Sequence, residues 1–246
     1  MTARNTESTH GRPVSVRVVV MAKEPRPGRV KTRLCPPLSG AMAARCHEAF
    51  VTDTLTRVSA AVDSRGADRE LAVAPGGAAP RLRALAAVGG WHCVDQVGED
   101  LGARMRRRLV AGVAAGKPVI LLGSDSPDLP AECILRAVSA LEEAEVVVGP
   151  AIDGGYYLIG CRDRVPDVFG QGIRWGGATV LKETLARLDA SGTSVALLDP
   201  WPDVDDWPAL VALAERLRVA RETVGSPAPE ATIGLLAQLR RQGFAV

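Results

Sequence analysis

The residue types that build covalent or metal-linked frameworks are scarce in this chain of 246 residues. It has five cysteines, none of them in a Cys-X-X-Cys pair, and only three histidines. Neither a disulfide framework nor a thiolate zinc site is therefore expected. Scattered cysteines that do not pair are typical of a reducing compartment, so a cytoplasmic location is predicted.

Aromatic residues, charge imbalance and long apolar runs are also lacking. Aromatic residues make up 4% of the chain, and 30 basic residues nearly balance 28 acidic ones, so neither nucleic acid nor a membrane surface is predicted as a partner. No uncharged apolar run reaches the ~18 residues of a membrane span. Residues 1–13 are polar and lack the apolar region of a secretory signal, and they are predicted to form a flexible tail. The sequence does not indicate an oligomeric state.

Short apolar runs alternate with segments of helical character. Strands are predicted at residues 16–22, 70–75, 118–124, 144–150, 156–160 and 194–199, and helices at about 40–62, 80–88, 100–115, 130–142, 177–190 and 207–224. This alternation predicts an α/β fold with a mostly parallel sheet and helices on both faces. The fifth and sixth strands are joined by a loop too short for a crossover helix, so one antiparallel or edge pairing is expected.

A single domain is predicted over residues 14–224, and residues 225–246 are predicted to be a C-terminal extension. The segment SPAPE breaks the helix that precedes it, and ATIGLLAQLRRQ has the pattern of one last helix, expected to be peripheral.

A basic segment, KEPRPGRVKTRL at residues 23–34, directly follows the first predicted strand. Two prolines stiffen it and Gly28 bends it, and Lys23, Lys31 and Arg33 are available together. It matches neither the phosphate-binding Gly-Lys-Ser/Thr loop nor the Gly-X-Gly-X-X-Gly pattern. Ammonium and guanidinium groups neutralise and grip phosphate oxygens, so a polyphosphate ligand is predicted; a solvated basic loop is the alternative.

Acidic residues follow two later strands. Asp125 comes directly after the run PVILLGS, and Asp203 and Asp205 follow the last predicted strand. Carboxylates at strand ends suit Mg²⁺ bound to phosphates, which takes one or two protein carboxylates. A turn is the alternative for Asp125 and helix capping for the later cluster. Asp128 and Asp206 are predicted as helix caps.

Two glycine-containing segments complete the candidate site. AIDGGYYLIG places Asp153, Gly154 and Gly155 before a strand, where a ligand could approach the backbone closely and Tyr156 could add a hydroxyl or a ring face. A plain glycine turn is the alternative.

The second segment, QVGEDLGARM, adds Gly98 and Gly102. Small residues there could admit a base or a ribose, although this pattern alone is weak.

Taken in order, MAKEPRPGRVKTRLCPPL, QVGEDLGARM, LLGSDSPDLP, VVVGPAIDGGYYLIG, GIRW and DVD resemble the rSAM/selenodomain-associated transferase family of the nucleotide-diphospho-sugar transferase superfamily. The resemblance covers about residues 16–215. The basic segment is also similar to that of 2-phospholactate guanylyltransferases. The resemblance implies the GT-A fold, a three-layer sandwich with a mixed, mostly parallel central sheet.

The resemblance also implies roles for individual residues. It makes Lys23, Lys31 and Arg33 phosphate ligands with catalytic roles. It makes Asp125 and Asp205 the ligands of Mg²⁺ or Mn²⁺, with Asp203 as the next candidate ligand. It also gives Asp125 a catalytic role.

The remaining roles concern the nucleotide and the acceptor. Ala22, Gly28, Gly98 and Gly102 join the nucleotide-binding residues. Trp175 lies on the acceptor side, although relatives have a Trp-Ser-Thr-like stretch where this chain has Trp-Gly-Gly at 175–177.

Three functions are compatible with these features. The first is a Mg²⁺-dependent nucleotidyltransferase, which converts an NTP and a small phosphorylated acceptor into a nucleoside-diphosphate conjugate and pyrophosphate. The second is a glycosyltransferase that uses an NDP-sugar, with Asp153 as a base toward an acceptor hydroxyl. The third is a nucleotide-binding protein without catalysis. The expected partners are a nucleotide and a small-molecule acceptor.

Overall fold

The computed structural model describes residues 15–170, 172–220 and 228–246. The predicted tail at 1–13, the end of the predicted helix 207–224 and the first residues of the C-terminal extension lie outside these ranges. Within them, no helix is both long enough and apolar enough to cross a membrane.

The described residues form one mixed sheet of seven strands. These are β1 Arg17–Lys23, β2 Asp68–Ala74, β3 His92–Asp95, β4 Val119–Leu122, β5 Val146–Pro150, β6 Tyr156–Cys161 and β7 Val195–Leu197. The spatial order is β3-β2-β1-β4-β6-β5-β7. Every neighbouring pair is parallel except those of β6, which runs antiparallel to both β4 and β5. The predicted antiparallel pairing is confirmed, and it lies inside the sheet.

Strand β3 is absent from the sequence-based prediction. It has four residues, lies at the sheet edge beside β2, and is nowhere fully buried. Its sequence HCVD therefore lacks the apolar run that marks the interior strands. The strand matters because its end leads directly into the cleft described below.

Seven helices are present in the described ranges: α1 Gly40–Val62, α2 Pro80–Gly89, α3 Leu101–Val113, α4 Ala131–Glu143, α5 Val180–Ala190, α6 Trp207–Ala220 and α7 Glu230–Arg241. A short 3₁₀ turn at Thr32–Leu34 ends the basic segment. Helix α5 begins three residues later than predicted. Gly176 has a φ of +82° and the Gly177 amide closes a turn on the Arg174 carbonyl, so the chain is not yet helical there.

The helices cover both faces of the sheet, which confirms the predicted three-layer α/β architecture. Alternate residues of β1 point to opposite faces, as the strand period requires. Val18 and Val20 pack in a core with side chains of α1, α2 and α4. Val19 and Met21 pack in a second core with side chains of α3 and the buried Leu188 of α5.

A third apolar cluster joins α1, α6 and α7. Phe50 of α1, Leu210 of α6 and Leu235 of α7 are all buried in it. The start of α7 is fixed to α1, because the Asp53 carboxylate accepts hydrogen bonds from the amides of Ala231 (3.0 Å) and Thr232 (2.8 Å). The extension predicted as peripheral thus shares a core with the main domain through its described part.

The loops that follow β1, β4 and β7 lie at one edge of the sheet. The backbone amide of Val204 donates to the carbonyl of Asp125 (2.9 Å), which ties the loop after β7 to the end of β4. In open α/β sheets, ligands bind beyond the carboxyl ends of the parallel strands. The architecture therefore places the acidic and basic segments of the sequence around a single cleft.

Candidate functional site

Two connected cavities lie at this edge of the sheet. The larger, here called the loop cavity, has a volume of about 730 Å³ and is lined by the basic segment through Lys23, Lys31 and Arg33. The smaller, here called the acidic cavity, has a volume of about 210 Å³. Asp125 and Asp205 lie on the walls of both. The predicted phosphate ligands therefore line the loop cavity, and the predicted metal ligands Asp125 and Asp205 lie where the two cavities meet.

Lys31 is the most enclosed charged group of this junction. Its side chain is 5% exposed, and its ammonium nitrogen lies 2.5 Å from Asp125 Oδ1 and 2.8 Å from Asp205 Oδ1. Burial lowers the pKa of Lys31, but the two carboxylates more than offset this, so the net pKa is raised and the group stays charged.

The backbone of Lys31 is also unusual. With a φ of 47°, it is the one non-glycine residue in the described ranges with a positive φ. A left-handed backbone at such a residue costs conformational energy and is found preferentially at functional sites. The left-handed conformation at Lys31 belongs to the turn that carries its side chain to the two carboxylates.

The carboxylates around Lys31 differ in their proton affinity. Burial raises the pKa of Asp125, but the charges of Lys31 and His47 override this and the net pKa is lowered. For Asp203, burial and the nearby carboxylates of Asp153 and Asp205 raise the pKa to about 6. A carboxyl group whose pKa is raised by its acidic neighbours is one that an added cation would stabilise in its charged form.

The donor set fits a divalent cation shared with phosphates. In the described part of the chain, no group of three or more His, Cys, Asp or Glu side chains forms a complete protein site. Magnesium bound to phosphates needs one or two carboxylates, with phosphate and water oxygens filling the remaining positions. Asp125 and Asp205 already hold a cationic ammonium group between them, so their oxygens face a common point.

The other basic residues of the segment lie nearer the surface. Arg33 is 69% exposed, with its guanidinium 3.8 Å from Asp205 and 3.5 Å from Asp206. Lys23 is exposed at the end of β1, on the wall of the loop cavity. Arg26 lines neither cavity and donates to the Ala78 carbonyl (2.5 Å).

His47 and Gln96 also line the loop cavity and are absent from the sequence-based site. His47 is buried on α1, and its Nε2 lies 2.8 Å from the Lys23 carbonyl oxygen. Gln96 follows β3, and its amide donates to the carbonyls of Ala22 (3.1 Å) and Ala72 (2.9 Å). His47 reaches the site from mid-helix, where no motif marks it. Gln96 opens the segment QVGEDLGARM, in which the sequence assigned a role only to the glycines. Ala22 itself lies on the cavity wall.

The predicted acceptor residues lie mostly on the acidic cavity. Asp153, Gly155, Tyr156 and Trp175 line its walls. The Asp153 carboxylate accepts a hydrogen bond from the Gly155 amide (2.9 Å), which closes a tight turn. Gly154 does not line the cavity: its φ is +93°, and a Cβ there would lie 2.1 Å from the Ala178 carbonyl oxygen. It allows the turn to pack against the start of α5.

Three more glycines predicted to face a nucleotide lie off the cavity walls: Gly28, Gly98 and Gly102. A Cβ on Gly102 would lie 2.3 Å from the indole ring of Trp175, and one on Gly98 would lie 2.8 Å from the amide nitrogen of Arg104. Gly28 has a φ of +72° in the turn of the basic segment. In the structure these glycines lie behind the cavity surface, where they allow turns of the backbone and leave space for the Trp175 ring.

Of the two predicted caps, one is confirmed and one is wrong. The Asp206 carboxylate accepts from the Ala209 amide (3.0 Å) at the start of α6. Asp128 does not cap α4; its oxygens accept from Arg216 Nε (2.8 Å) and Trp201 Nε1 (3.3 Å). These long-range donors outcompete the local helix amides for the buried carboxylate.

About half of the chain matches a known protein family, and nearly all of it matches solved structures. Residues 56–177 match the model of the family described as "Uncharacterized protein conserved in bacteria (DUF2064)". Among curated proteins, none matches the sequence.

Solved structures of similar fold are numerous. A protein of Desulfovibrio desulfuricans G20, assigned by name to the nucleotide-diphospho-sugar transferases, is 33% identical, with 92% of this chain and 97% of that chain covered and a TM-score of 0.77. A cytidylyltransferase from Leptospira borgpetersenii is 8% identical (94% and 95% covered, TM-score 0.52). The 4-diphosphocytidyl-2C-methyl-D-erythritol synthase of Anaerococcus prevotii is 9% identical (84% and 99% covered, TM-score 0.55).

The last two likenesses show the fold alone, whereas the first extends to the sequence over nearly the whole length of both chains. The chain therefore belongs to the same family as the Desulfovibrio protein, has the α/β fold of the nucleotide-diphospho-sugar transferases, and matches the DUF2064 model over residues 56–177.

Proposed function

We propose that this protein is a Mg²⁺-dependent nucleotidyltransferase that joins an NTP to a small phosphorylated acceptor and releases pyrophosphate. The observation that carries the proposal is the charge layout of the cleft. A cavity of about 730 Å³ lined by Lys23, Lys31 and Arg33 opens at Asp125 and Asp205 onto a second cavity of about 210 Å³. The first volume lies in the range of small-molecule sites and suits a nucleotide, and the second suits a small acceptor.

The basic segment provides the charge that a triphosphate requires. Lys23 and Arg33 are exposed on the loop cavity, where they can contact the β- and γ-phosphates without breaking buried ion pairs. Lys31 remains charged because its pKa is raised by two carboxylates. In transfer from the α-phosphorus, these three cations stabilise the pyrophosphate that leaves.

Asp125 and Asp205, with Asp203 beside them, are the residues that would hold Mg²⁺ or Mn²⁺. The bound cation would neutralise phosphate charge at the α-phosphorus. Lys31 now neutralises Asp125 and Asp205, and its ammonium group is within reach of the same phosphate oxygens.

The chemistry requires positioning more than a protein nucleophile. An oxygen of the acceptor phosphate attacks the α-phosphorus in line, a new P–O bond forms, and the bond to pyrophosphate breaks. Tyr156 and Trp175 on the acidic cavity would orient the acceptor, with Asp153, Gly154 and Gly155 forming the turn beside it.

Glycosyl transfer from an NDP-sugar is the second candidate, and one observation favours it. Asp153 and Asp203 both line the acidic cavity, and Asp203 has a pKa raised to about 6. A carboxyl group with a pKa near neutrality suits a general base toward an acceptor hydroxyl.

The product distinguishes the two reactions. The purified protein is incubated with Mg²⁺ and each of the four NTPs, or with UDP- and GDP-sugars, together with a pool of small phosphorylated metabolites. Pyrophosphate and free NDP are followed separately. We expect pyrophosphate release that depends on the acceptor. It should be abolished in Asp125→Asn and retained in Asp189→Asn, a substitution at an exposed position on α5. Free NDP from a sugar nucleotide without pyrophosphate from any NTP would replace the proposal by glycosyl transfer.

A further inference from the structure

The end of the acidic cavity formed by α1 and α4 carries a cation that the proposed phosphate chemistry does not use. Thr54, Arg57 and Val58 line the cavity from α1, and their spacing places them on one helix face. Leu129, just before α4, and Ile134, in its first turn, also line the cavity. This wall belongs to the core on the α1 side of the sheet, apart from the basic segment.

Arg57 is buried there without an ion-pair partner. Its residue is 6% exposed, and no carboxylate in the described ranges lies within 4 Å of its guanidinium. Its Nη1 donates to the Leu129 carbonyl oxygen (3.3 Å), whereas its Nε is buried with no hydrogen-bond partner. A guanidinium has five N–H donors, and leaving one of them buried and unpaired is costly.

The two acidic residues whose charges act on Arg57, Asp53 and Asp128, already accept hydrogen bonds from other groups. Asp53 accepts from the amides of Ala231 and Thr232 at the start of α7. Asp128 accepts from Arg216 and Trp201. Their charges partly offset the effect of burial, which still leaves the pKa of Arg57 lowered from its ordinary value. An arginine side chain keeps its proton in proteins, so Arg57 places a fixed positive charge without an ion-pair partner on this wall of the cavity.

From these observations we infer that Arg57 binds an anionic group of the acceptor, a phosphate or a carboxylate, at the end of the acidic cavity remote from the basic segment. Two planar N–H donors of a guanidinium match two oxygens of either anion. Helix α4 begins at Ala131, beside Leu129, and the positive end of its dipole adds to the attraction for an anion. Identification of the anion's carrier as the acceptor rests on the proposed function; the anion site itself rests on Arg57.

An anion site at Arg57 fixes the orientation of the acceptor within the acidic cavity. An anion at Arg57 leaves the remainder of the small cavity for the part of the molecule that reaches Asp125 and Asp205. The acceptor is thus a small molecule with an anionic group separate from its reacting oxygen. A neutral acceptor would leave the buried charge of Arg57 unsatisfied.

The test follows the Nε–H resonance of Arg57 by NMR in the full-length protein, assigned by its loss in Arg57→Lys. Inorganic phosphate and acetate are titrated in separate experiments to distinguish the two anion classes. We expect this resonance to shift saturably with at least one of the two anions. The Nε–H resonance of Arg45, on the exposed side of the same helix, should not shift comparably. Arg45 is the matched control because it already donates to Gln238 (2.7 Å) and lines neither cavity. No movement of the Arg57 resonance with either anion would overturn the inference.

A kinetic readout separates this inference from the proposed function. Once an acceptor is known, Arg57→Lys and Arg57→Gln should raise its KM by about tenfold or more and leave the KM for the nucleotide unchanged, because the lost contact is a charged hydrogen bond. Arg45→Gln should change neither KM. Transfer activity with an unaltered acceptor KM in both Arg57 variants contradicts the inference alone. Absence of any transfer, together with a saturable Arg57 shift, contradicts the proposed function alone.

Discussion

Lys31 is the residue on which the charge balance of the cleft depends. It is nearly fully buried, has a left-handed backbone and separates two carboxylates that would otherwise repel each other. An ammonium group held in this way is positioned in advance of ligand binding, so little reorganisation is needed when phosphates arrive.

Replacement of this charge should therefore affect catalysis strongly. We expect Lys31→Met to lower kcat/KM for the nucleotide by about 100-fold or more, the usual effect of removing a preorganised charge in a closed site. Steady-state kinetics of pyrophosphate release measure it. Arg26→Gln is the control in the same segment, since Arg26 lines neither cavity, and it should retain activity. Equal activity of the two variants would show that Lys31 does not contact the reacting phosphates.

Asp203 gives a pH-dependent prediction for the metal-free protein. Its folded pKa of about 6 lies above its ordinary value of 3.8, so the folded state binds the proton more tightly. The resulting stabilisation is present below about pH 4 and is lost as the pH rises through about 6. Because the side chain is half-buried and partly screened, we expect the stability of Asp203→Asn relative to wild type to rise by about 1 kcal/mol over this interval. Urea unfolding with a chelator present measures the difference; a constant difference would contradict the prediction.

Individual site residues could be predicted from the sequence where they follow apolar runs. Lys31, Asp125 and Asp205 lie in the segments that follow strands, and the shared edge of a parallel sheet brings such segments together. Arg57 and His47 could not be found in this way. Both lie within a long helix, and they reach the cleft because the interior of α1 faces the sheet end, which only the three-dimensional packing reveals.

At the scale of elements, α3 positions the Trp175 ring through a missing side chain. Gly102 lies in the first turn of α3, and the indole occupies the space where its Cβ would be. Trp175 also stacks on Phe169, with ring centroids 6.0 Å apart. Because both contacts hold the ring at the wall shared by the cavities, its position depends on the α3 backbone.

We expect Gly102→Ala to displace the Trp175 ring, since a Cβ 2.3 Å from the indole cannot be accommodated without movement. The change should appear as a shift of the Trp175 indole N–H resonance and as a raised KM for the acceptor. Gly234→Ala on α7 is the control: a Cβ there has open space, so the variant should be more stable by up to about 1 kcal/mol. An unchanged Trp175 resonance in Gly102→Ala would disprove this role.

Helix α7 depends on a single carboxylate at its start. We expect Asp53→Ala to destabilise the protein by about 1–3 kcal/mol, because the amides of Ala231 and Thr232 lose their acceptor in a buried position. Urea unfolding measures the loss. Asp53→Asn, which keeps one acceptor oxygen, should lose less. A loss of equal size in both variants would point to the charge rather than the hydrogen bonds.

Long helices and interior strands were predictable because their apolar periods are strong. The sequence signal fails for β3, whose residues are half exposed at the sheet edge, and for the start of α5, which is delayed by the turn at Gly176 and Gly177. Both failures lie beside the cleft. The apolar pattern of a segment reflects how far it is buried. Segments that form a cleft are necessarily partly exposed, so their pattern is weak.

At the scale of the whole molecule, the alternation of strands and helices was sufficient to predict a three-layer fold. The division of the cleft into two cavities was not predictable. It arises because the antiparallel strand β6 enters between β4 and β5 and places Tyr156 and the turn at Asp153 beside the end of β4. Lys23, Lys31 and Arg33 of the basic segment thus line one cavity and Asp153 and Asp203 the other, with Asp125 and Asp205 at their junction.

The most direct test of nucleotidyl transfer is ³¹P NMR of one turnover mixture containing the protein, Mg²⁺, an NTP and the phosphorylated acceptor. We expect pyrophosphate to appear together with two coupled resonances of a new P–O–P linkage, in equal amounts, and neither to appear with Asp125→Asn. If the NTP remains intact, and a parallel mixture with a sugar nucleotide yields free NDP, nucleotidyl transfer is wrong and the protein transfers glycosyl groups.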